Sequence, residues 1–115
     1  MNKPGIRTAL PKRRYRLGEF TVTVLGEIDS SDGVEYRYIM AVVRGQDTEP
    51  GMYITAEKPP GAASKMLAMR IIMQDGAEVI GQHTDWQQLD AFTKRGIEIV
   101  SRVLNLSDET PWQLL

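Results

Sequence analysis

A short basic stretch near the N-terminus contains the residue types best suited to chemistry in this chain. Four cations and one tyrosine occur between positions 12 and 16. Guanidinium and ammonium groups neutralise phosphates, and an aromatic ring on a sheet can stack on a base. Two further cations lie at the ends of later predicted strands. The residues predicted to bind nucleic acid are therefore Lys12, Arg13, Arg14, Tyr15, Arg16, Arg44 and Lys58.

The charge of the chain is unevenly distributed. Residues 1 to 16 contain six cations and no acid, which gives +6, and the remaining residues contain 8 basic and 15 acidic residues, which gives −7. The net charge is thus −1, and the sequence pI of 5.8 is below that of a typical basic nucleic-acid-binding domain. A solvated basic arm without a nucleic-acid ligand is therefore the alternative interpretation of this stretch.

Other chemical signals are weak. His83 is the only histidine and cysteine is absent, so the sequence predicts no metal site, no disulfide and no thiol catalysis. The acidic residues are scattered over loops, where nothing holds a pair of carboxylates at a fixed distance. Neither a phosphate-binding Walker loop nor a dinucleotide-binding glycine pattern occurs. We expect no catalytic residue and no cofactor, and so a protein that is not an enzyme.

Length and composition predict one domain that does not cross a membrane. The chain has 115 residues, of which 42% are hydrophobic and 25% are charged, as is common in globular proteins. It contains no apolar stretch of about 18 residues and no apolar segment near the N-terminus that would indicate secretion. The lack of cysteine fits a cytoplasmic protein. We expect a cytoplasmic location.

The last third of the chain predicts one long amphipathic helix from Trp86 to Leu106. Asp85 is the expected N-cap, and Gln88 three residues later completes a capping box. Gly96 lies in the middle of the apolar stripe. Because glycine costs about 1 kcal/mol in a helix interior, we expect it to allow close approach of another backbone.

The apolar stripe of this helix predicts self-association. It covers about half of the circumference, which is wider than the ~100° that one core-facing helix needs. One helix is also too narrow to cover both faces of a five-stranded sheet, so either the sheet curls or a second subunit covers it. We expect a homodimer. The predicted contact residues are Trp86, Ile97, Ile99, Leu104 and Leu106.

The rest of the chain predicts strands. Alternating apolar residues indicate a first strand over residues 14 to 28, with a bulge at Gly18, and four more strands over about 34–44, 52–57, 65–74 and 77–83. The expected fold class is α+β, with a curved antiparallel sheet of about five strands followed by the helix. The expected organisation is a basic flexible arm over 1–13, a single domain over 14–106 and a tail over 107–115.

Two segments carry a resemblance to a known family. They are Arg14-Tyr-Arg-Leu-Gly-Glu-Phe20 and Asp32-Gly-Val-Glu-Tyr-Arg-Tyr38. With the order of strands and helix, they resemble small uncharacterised cyanobacterial proteins with a Whirly-like single-stranded-DNA-binding regulator fold. The resemblance implies a dimer formed through sheet and helix, and binding of single-stranded DNA or RNA on the exposed sheet.

Two other functions fit the same order of elements. One is a homodimeric protein-interaction module that binds no nucleic acid. The other is a pleckstrin-homology-like ligand-binding barrel with a capping helix, which requires about seven strands. The sequence predicts only five, which favours the Whirly-like interpretation over the barrel.

Overall fold

One antiparallel sheet makes up most of the protein. The computed structural model describes residues 3 to 61 and 65 to 115. Within these residues, seven strands pair in the order β6-β5-β4-β3-β2-β1-β7. The strands are β1 (Ile6–Leu17), β2 (Phe20–Ser30), β3 (Tyr36–Arg44), β4 (Met52–Glu57), β5 (Leu67–Met73), β6 (Gly76–His83) and β7 (Trp112–Gln113). A 3-10 helix (Thr84–Gln87) and helix α1 (Leu89–Val103) lie between β6 and β7.

The predicted fold class is wrong. The protein is mostly sheet, with seven strands rather than about five in the described residues, and α1 has 15 residues. The prediction merges β1 and β2 into one strand and leaves β7 in the tail. The antiparallel pairing itself is confirmed.

A hairpin replaces the first predicted strand. Leu17 pairs with Phe20, so Gly18 and Glu19 form a two-residue turn in which Gly18 has a φ of 59°. This left-handed conformation favours glycine, and it makes the expected bulge at Gly18 a chain reversal. Residues 6 to 13 pair with β2 and form a strand rather than a flexible arm, whereas residues 1 and 2 of that predicted arm lie outside the described residues.

The inner face of the sheet, which we define as the face packed against α1, holds the main core. Phe92 of α1 is fully buried, and its ring stacks on Tyr38 of β3 with 5.4 Å between the ring centroids. Alternation along β2 and β3 places Val24 opposite Met40, and both are fully buried. Burying each such side chain stabilises the fold by roughly 1.5–3 kcal/mol.

Gly96 makes room for a side chain rather than for a backbone. A Cβ at this position would lie 2.5 Å from Cε and 2.8 Å from Sδ of Met40 on β3. The terminal atoms of Met40 thus occupy the space that any larger residue at position 96 would fill. The expected close approach exists, but its partner is a methionine within the same chain.

Both ends of the helical segment differ from the prediction. Asp85 is not the N-cap, because Nδ1 of His83 accepts the hydrogen bond of the Asp85 amide at 3.0 Å and a 3-10 turn precedes α1. At the other end Asn105 has a φ of 57°, and the Leu106 amide donates to the Ser101 carbonyl at 2.6 Å. This is a Schellman cap, and it ends α1 before Leu106.

The outer face, which we define as the opposite face of the sheet, holds a second apolar cluster. Buried Tyr36, Ile39 and Ile72 belong to it, and Ile6 of β1 packs against it. Three register shifts in the N-terminal half of the β1–β2 pair allow this hairpin to bend. The bent hairpin therefore brings β1 over part of the outer face, where Ile6 contacts this cluster.

No helix among residues 3–61 and 65–115 has the length and apolar character needed to cross a membrane.

Candidate nucleic-acid interface

Four of the predicted binding cations make ion pairs with acids of the same chain. Arg13 lies 3.0 Å from Asp90, Arg44 lies 2.8 Å from Glu19, and Lys58 lies 3.9 Å from Glu35. Lys12 pairs with Glu27 across the β1–β2 hairpin. Each pair is at least partly exposed and contributes at most about 1 kcal/mol to stability. Together the four carboxylates cancel most of the positive charge that the sequence predicts.

Tyr15, one of the predicted binding residues, lies on the inner face of the sheet. It pairs with Val22, a fully buried residue of the inner face, and packs partly buried against the main core. Its ring is therefore directed toward the core. The prediction that the Tyr15 ring stacks on a base does not fit this position.

Arg14 and Arg16 lie on the outer face and remain exposed. Their partners on β2 are Thr23 and Thr21, which alternate with the buried inner-face valines. Nε of Arg14 donates to Oγ1 of Thr23, and Nε of Arg16 donates to the Gly18 carbonyl, both at 3.2 Å. Among the described residues, neither guanidinium forms an ion pair with a carboxylate within 4.0 Å. Each guanidinium thus keeps its two terminal nitrogens for a ligand.

Trp112 completes this surface, and the sequence analysis did not place it there. The two-residue strand β7 pairs with β1, and Trp112 lies directly opposite Arg16. Paired residues point to the same side of a sheet, so the indole lies beside Arg16 on the outer face. It is 72% exposed, which is unusual for a tryptophan. We call the surface formed by Arg14, Arg16 and Trp112 the Trp112 strip.

The Trp112 strip is held in place by the C-terminal residues. The Leu114 amide donates to the Arg14 carbonyl at 2.7 Å, and the Arg14 amide donates to the Leu115 carbonyl at 3.3 Å. The predicted tail over 107–115 therefore folds back onto β1. Glu109 lies close to the strip. Its Cγ is 3.4 Å from the position that a Cβ on Gly18 would occupy, and the carbonyl of Gly18 accepts a hydrogen bond from Arg16.

A polar network forms a second charged group on the outer face. Arg70 of β5 and Glu57 of β4 make an ion pair at 3.1 Å, and Thr55 donates to the same carboxylate at 2.7 Å. The Tyr36 hydroxyl donates to Asp32 at 2.6 Å and accepts from Arg70 at 3.4 Å. This network links the turn after β2 to the middle of the sheet.

Two pKa values in this network are shifted. Burial raises the pKa of Asp32, but hydrogen bonds from the Tyr36 hydroxyl and from the Gly5 and Val34 amides outweigh it, so the net pKa lies below the ordinary value of 3.8. The pKa of Tyr36 is raised, first by burial and then by its bond to Asp32. Both shifts reflect the same contact, in which the neutral Tyr36 hydroxyl donates to the charged Asp32 carboxylate, and this contact stabilises the turn.

The residues of the predicted dimer contact pack on the core of their own chain. Ile99 is buried in the inner-face core. The remaining four, partly buried against that same core, are Trp86, Ile97, Leu104 and Leu106. These five residues therefore contact the core of their own chain. Among the described residues no group of three His, Cys, Asp or Glu residues could hold a metal ion.

Comparison with protein-family models, with curated proteins and with solved structures finds no match.

Proposed function

We propose that this protein binds single-stranded nucleic acid on the Trp112 strip. The observation that supports the proposal is an indole, 72% exposed, beside two exposed arginines on the same face of the sheet, whose guanidinium groups form no ion pair among residues 3–61 and 65–115. Stacking of a base on an aromatic ring is worth roughly 1–3 kcal/mol, and each arginine can neutralise a phosphate. Stacking on an exposed indole needs an unpaired base, which favours single strands over duplexes.

Fluorescence anisotropy of labelled single-stranded DNA and RNA at several salt concentrations tests this proposal. With two phosphates neutralised, the logarithm of the affinity falls with the logarithm of the salt concentration with a slope of about −1.4, or roughly −0.7 per phosphate. The Trp112→Ala variant loses roughly 1–3 kcal/mol of binding free energy. Replacing Arg14 and Arg16 together by Gln weakens binding and flattens the salt dependence.

Arg13→Gln is the matched control for these variants. Arg13 lies on the same strand, but its guanidinium pairs with Asp90, so its loss changes affinity far less than the loss of Arg14 and Arg16. Glu109→Gln removes the acid near the strip and strengthens binding. The absence of binding at low salt, or binding that neither the Trp112 nor the double arginine variant changes, rejects the proposal.

A second candidate function, a homodimeric interaction module, is favoured by strand β6. This strand forms one edge of the sheet, and it exposes Val79 by 57% and Ile80 by 38%. It carries no lysine and no proline, the residues that commonly protect edges, and its single acid is Glu78. Antiparallel pairing of β6 with β6 of a second copy gives hydrogen-bond partners to the free backbone N–H and C=O groups of both edges.

Size-exclusion chromatography with light scattering tests this second candidate. It predicts a dimer at micromolar concentration, and a monomer when Val79 and Ile80 are replaced by Lys. Trp86→Phe is a control for the helix contact expected from the sequence, and it leaves the dimer intact because Trp86 packs within its own chain. A monomeric native protein excludes this candidate and leaves the nucleic-acid proposal unaffected.

A further inference from the structure

A cleft of about 400 Å³ lies away from the Trp112 strip. It lies where the beginning of β3, the end of β4 and the beginning of β5 meet the 3-10 helix, and it shares no residue with the strip. Its charged residues are Glu35, Arg37, Lys58 and Lys65. Clefts that bind small molecules have volumes of roughly 300–1,000 Å³, so this one is large enough for a small metabolite.

Arg37 is held in position before any ligand arrives. Its Nε donates to the Gln87 carbonyl of the 3-10 helix at 3.1 Å, and its guanidinium carbon lies 4.9 Å from the centroid of the Tyr38 ring. A register shift between Tyr36 and Tyr38 accompanies this placement. The side chain therefore loses little freedom on binding, and its two terminal nitrogens can donate to an oxyanion.

The charge of the cleft is opposite to that of the protein. Arg37, Lys58 and Lys65 contribute +3 and Glu35 contributes −1, so the cleft carries +2 in a chain whose net charge is −1. Lys58 is 3.9 Å from Glu35, and both side chains are largely exposed, so this pair holds the lysine only weakly. The low-dielectric walls of a cleft concentrate the positive electrostatic potential of these residues. This potential attracts a multiply charged anion.

We propose that this cleft binds the phosphate group of a small phosphorylated molecule. A phosphate dianion matches the +2 charge, and its oxygens can accept from the guanidinium of Arg37 and from the two ammonium groups that line the same cleft. Leu67 and Tyr36 also line the cleft and provide contacts for the less polar part of such a ligand. This site is independent of the Trp112 strip, because the two surfaces lie on different elements and have no residue in common.

Isothermal titration calorimetry of the full chain with inorganic pyrophosphate at low salt tests the proposal. We expect binding of one pyrophosphate per chain, and much weaker binding of chloride at the same ionic strength. Arg37→Gln weakens the affinity at least about tenfold, because a charged bidentate contact is lost. Glu35→Gln raises the cleft charge to +3 and strengthens the affinity.

Two controls outside the cleft match these variants. Arg95→Gln and Lys94→Gln remove the same charges from α1, and they leave pyrophosphate binding unchanged. Amide chemical-shift mapping gives a second readout, in which pyrophosphate shifts the signals of Arg37, Lys58 and Lys65. AMP binds and adenosine does not, since the phosphate is the group recognised.

Three results overturn the proposal. One is the absence of pyrophosphate binding at low salt. Another is an affinity that neither Arg37→Gln nor Glu35→Gln changes; the Glu35 variant keeps the test valid if the Arg37 variant does not fold. The third is pyrophosphate-induced shifts at Arg14, Arg16 and Trp112 instead of at the cleft.

Discussion

The two faces of the sheet differ in how much their side chains contribute to the stability of the fold. The inner face is a continuous apolar surface under α1, with Met40, Ile54 and Phe92 fully buried. The outer face is divided between an apolar cluster, the polar network around Arg70 and the exposed Trp112 strip. Side chains on the strip contribute little packing, so they can serve a ligand without cost to stability. Stability and the proposed binding function should therefore be separable by mutation.

The largest expected effect is on the inner face. Phe92→Ala leaves a cavity next to Tyr38 and should destabilise the protein by about 3–5 kcal/mol. Urea unfolding followed by circular dichroism measures this loss. Val103→Ala on the same helix is the control, because Val103 is 44% exposed and should cost less than about 1 kcal/mol. Equal losses at the two positions would contradict the assignment of α1 to the inner-face core.

The polar network of the outer face should show an intermediate effect. Glu57→Gln leaves the largely buried Arg70 guanidinium without its carboxylate and should destabilise the fold by roughly 1–3 kcal/mol. Glu98→Gln breaks the exposed pair with Arg95 at 3.5 Å and should cost less than about 1 kcal/mol. The same urea experiment compares the two. If Glu57→Gln costs no more than the surface variant, the network does not support the outer face.

A smaller effect depends on pH. Because the folded-state pKa of Asp32 lies below 3.8, its contribution to stability is present above that ordinary value and is lost as the pH falls through the folded-state pKa. Tyr36→Phe removes one donor and should raise the pKa of Asp32 toward 3.8. An NMR titration of the Asp32 carboxyl carbon measures the change. Tyr53→Phe should leave this pKa unchanged, and an equal shift in both variants would refute the assignment.

The smallest expected effect on stability belongs to the Trp112 strip. Replacing Arg14 and Arg16 together by Gln should change the free energy of unfolding by no more than about 0.5 kcal/mol, because both residues are exposed and neither guanidinium pairs with an acid in the described part of the chain. The urea experiment that measures the Phe92 variant also measures this one. A loss comparable to that of Phe92→Ala would show that the strip supports the fold and that the two faces are not separable.

Local patterns predict the inner face well, because alternation depends only on neighbouring residues. Alternation places Val22, Val24 and Met40 on one face, and all three are buried in the inner-face core. The register between β2 and β3 is not fixed by alternation, because a shift of two residues leaves the same side chains on the same face. The β1–β2 turn is missed because Gly18 between two apolar runs also fits a bulge.

The site is harder to predict, because its residues meet only in the folded chain. Arg13 pairs with Asp90, 77 positions away, and no local pattern reveals that its charge is neutralised. Trp112 reaches Arg16 through a strand of only two residues that follows the helix. Arg14 and Arg16 are the two predicted cations that remain available on the outer face. The apolar end of the tail, with Trp112, Leu114 and Leu115, is the one local feature that points to a contact between this segment and the rest of the chain.

The nitrogen–proton NMR spectrum of the two tryptophan side chains tests the central claim most directly. Trp112 lies on the exposed strip, whereas Trp86 packs partly buried against the inner-face core, so one native protein contains both the probe and its control. During a titration with single-stranded DNA at low salt, we predict that the Trp112 indole signal shifts and the Trp86 signal does not. An unchanged Trp112 signal, or a larger shift at Trp86, would contradict the proposal that the Trp112 strip binds single strands.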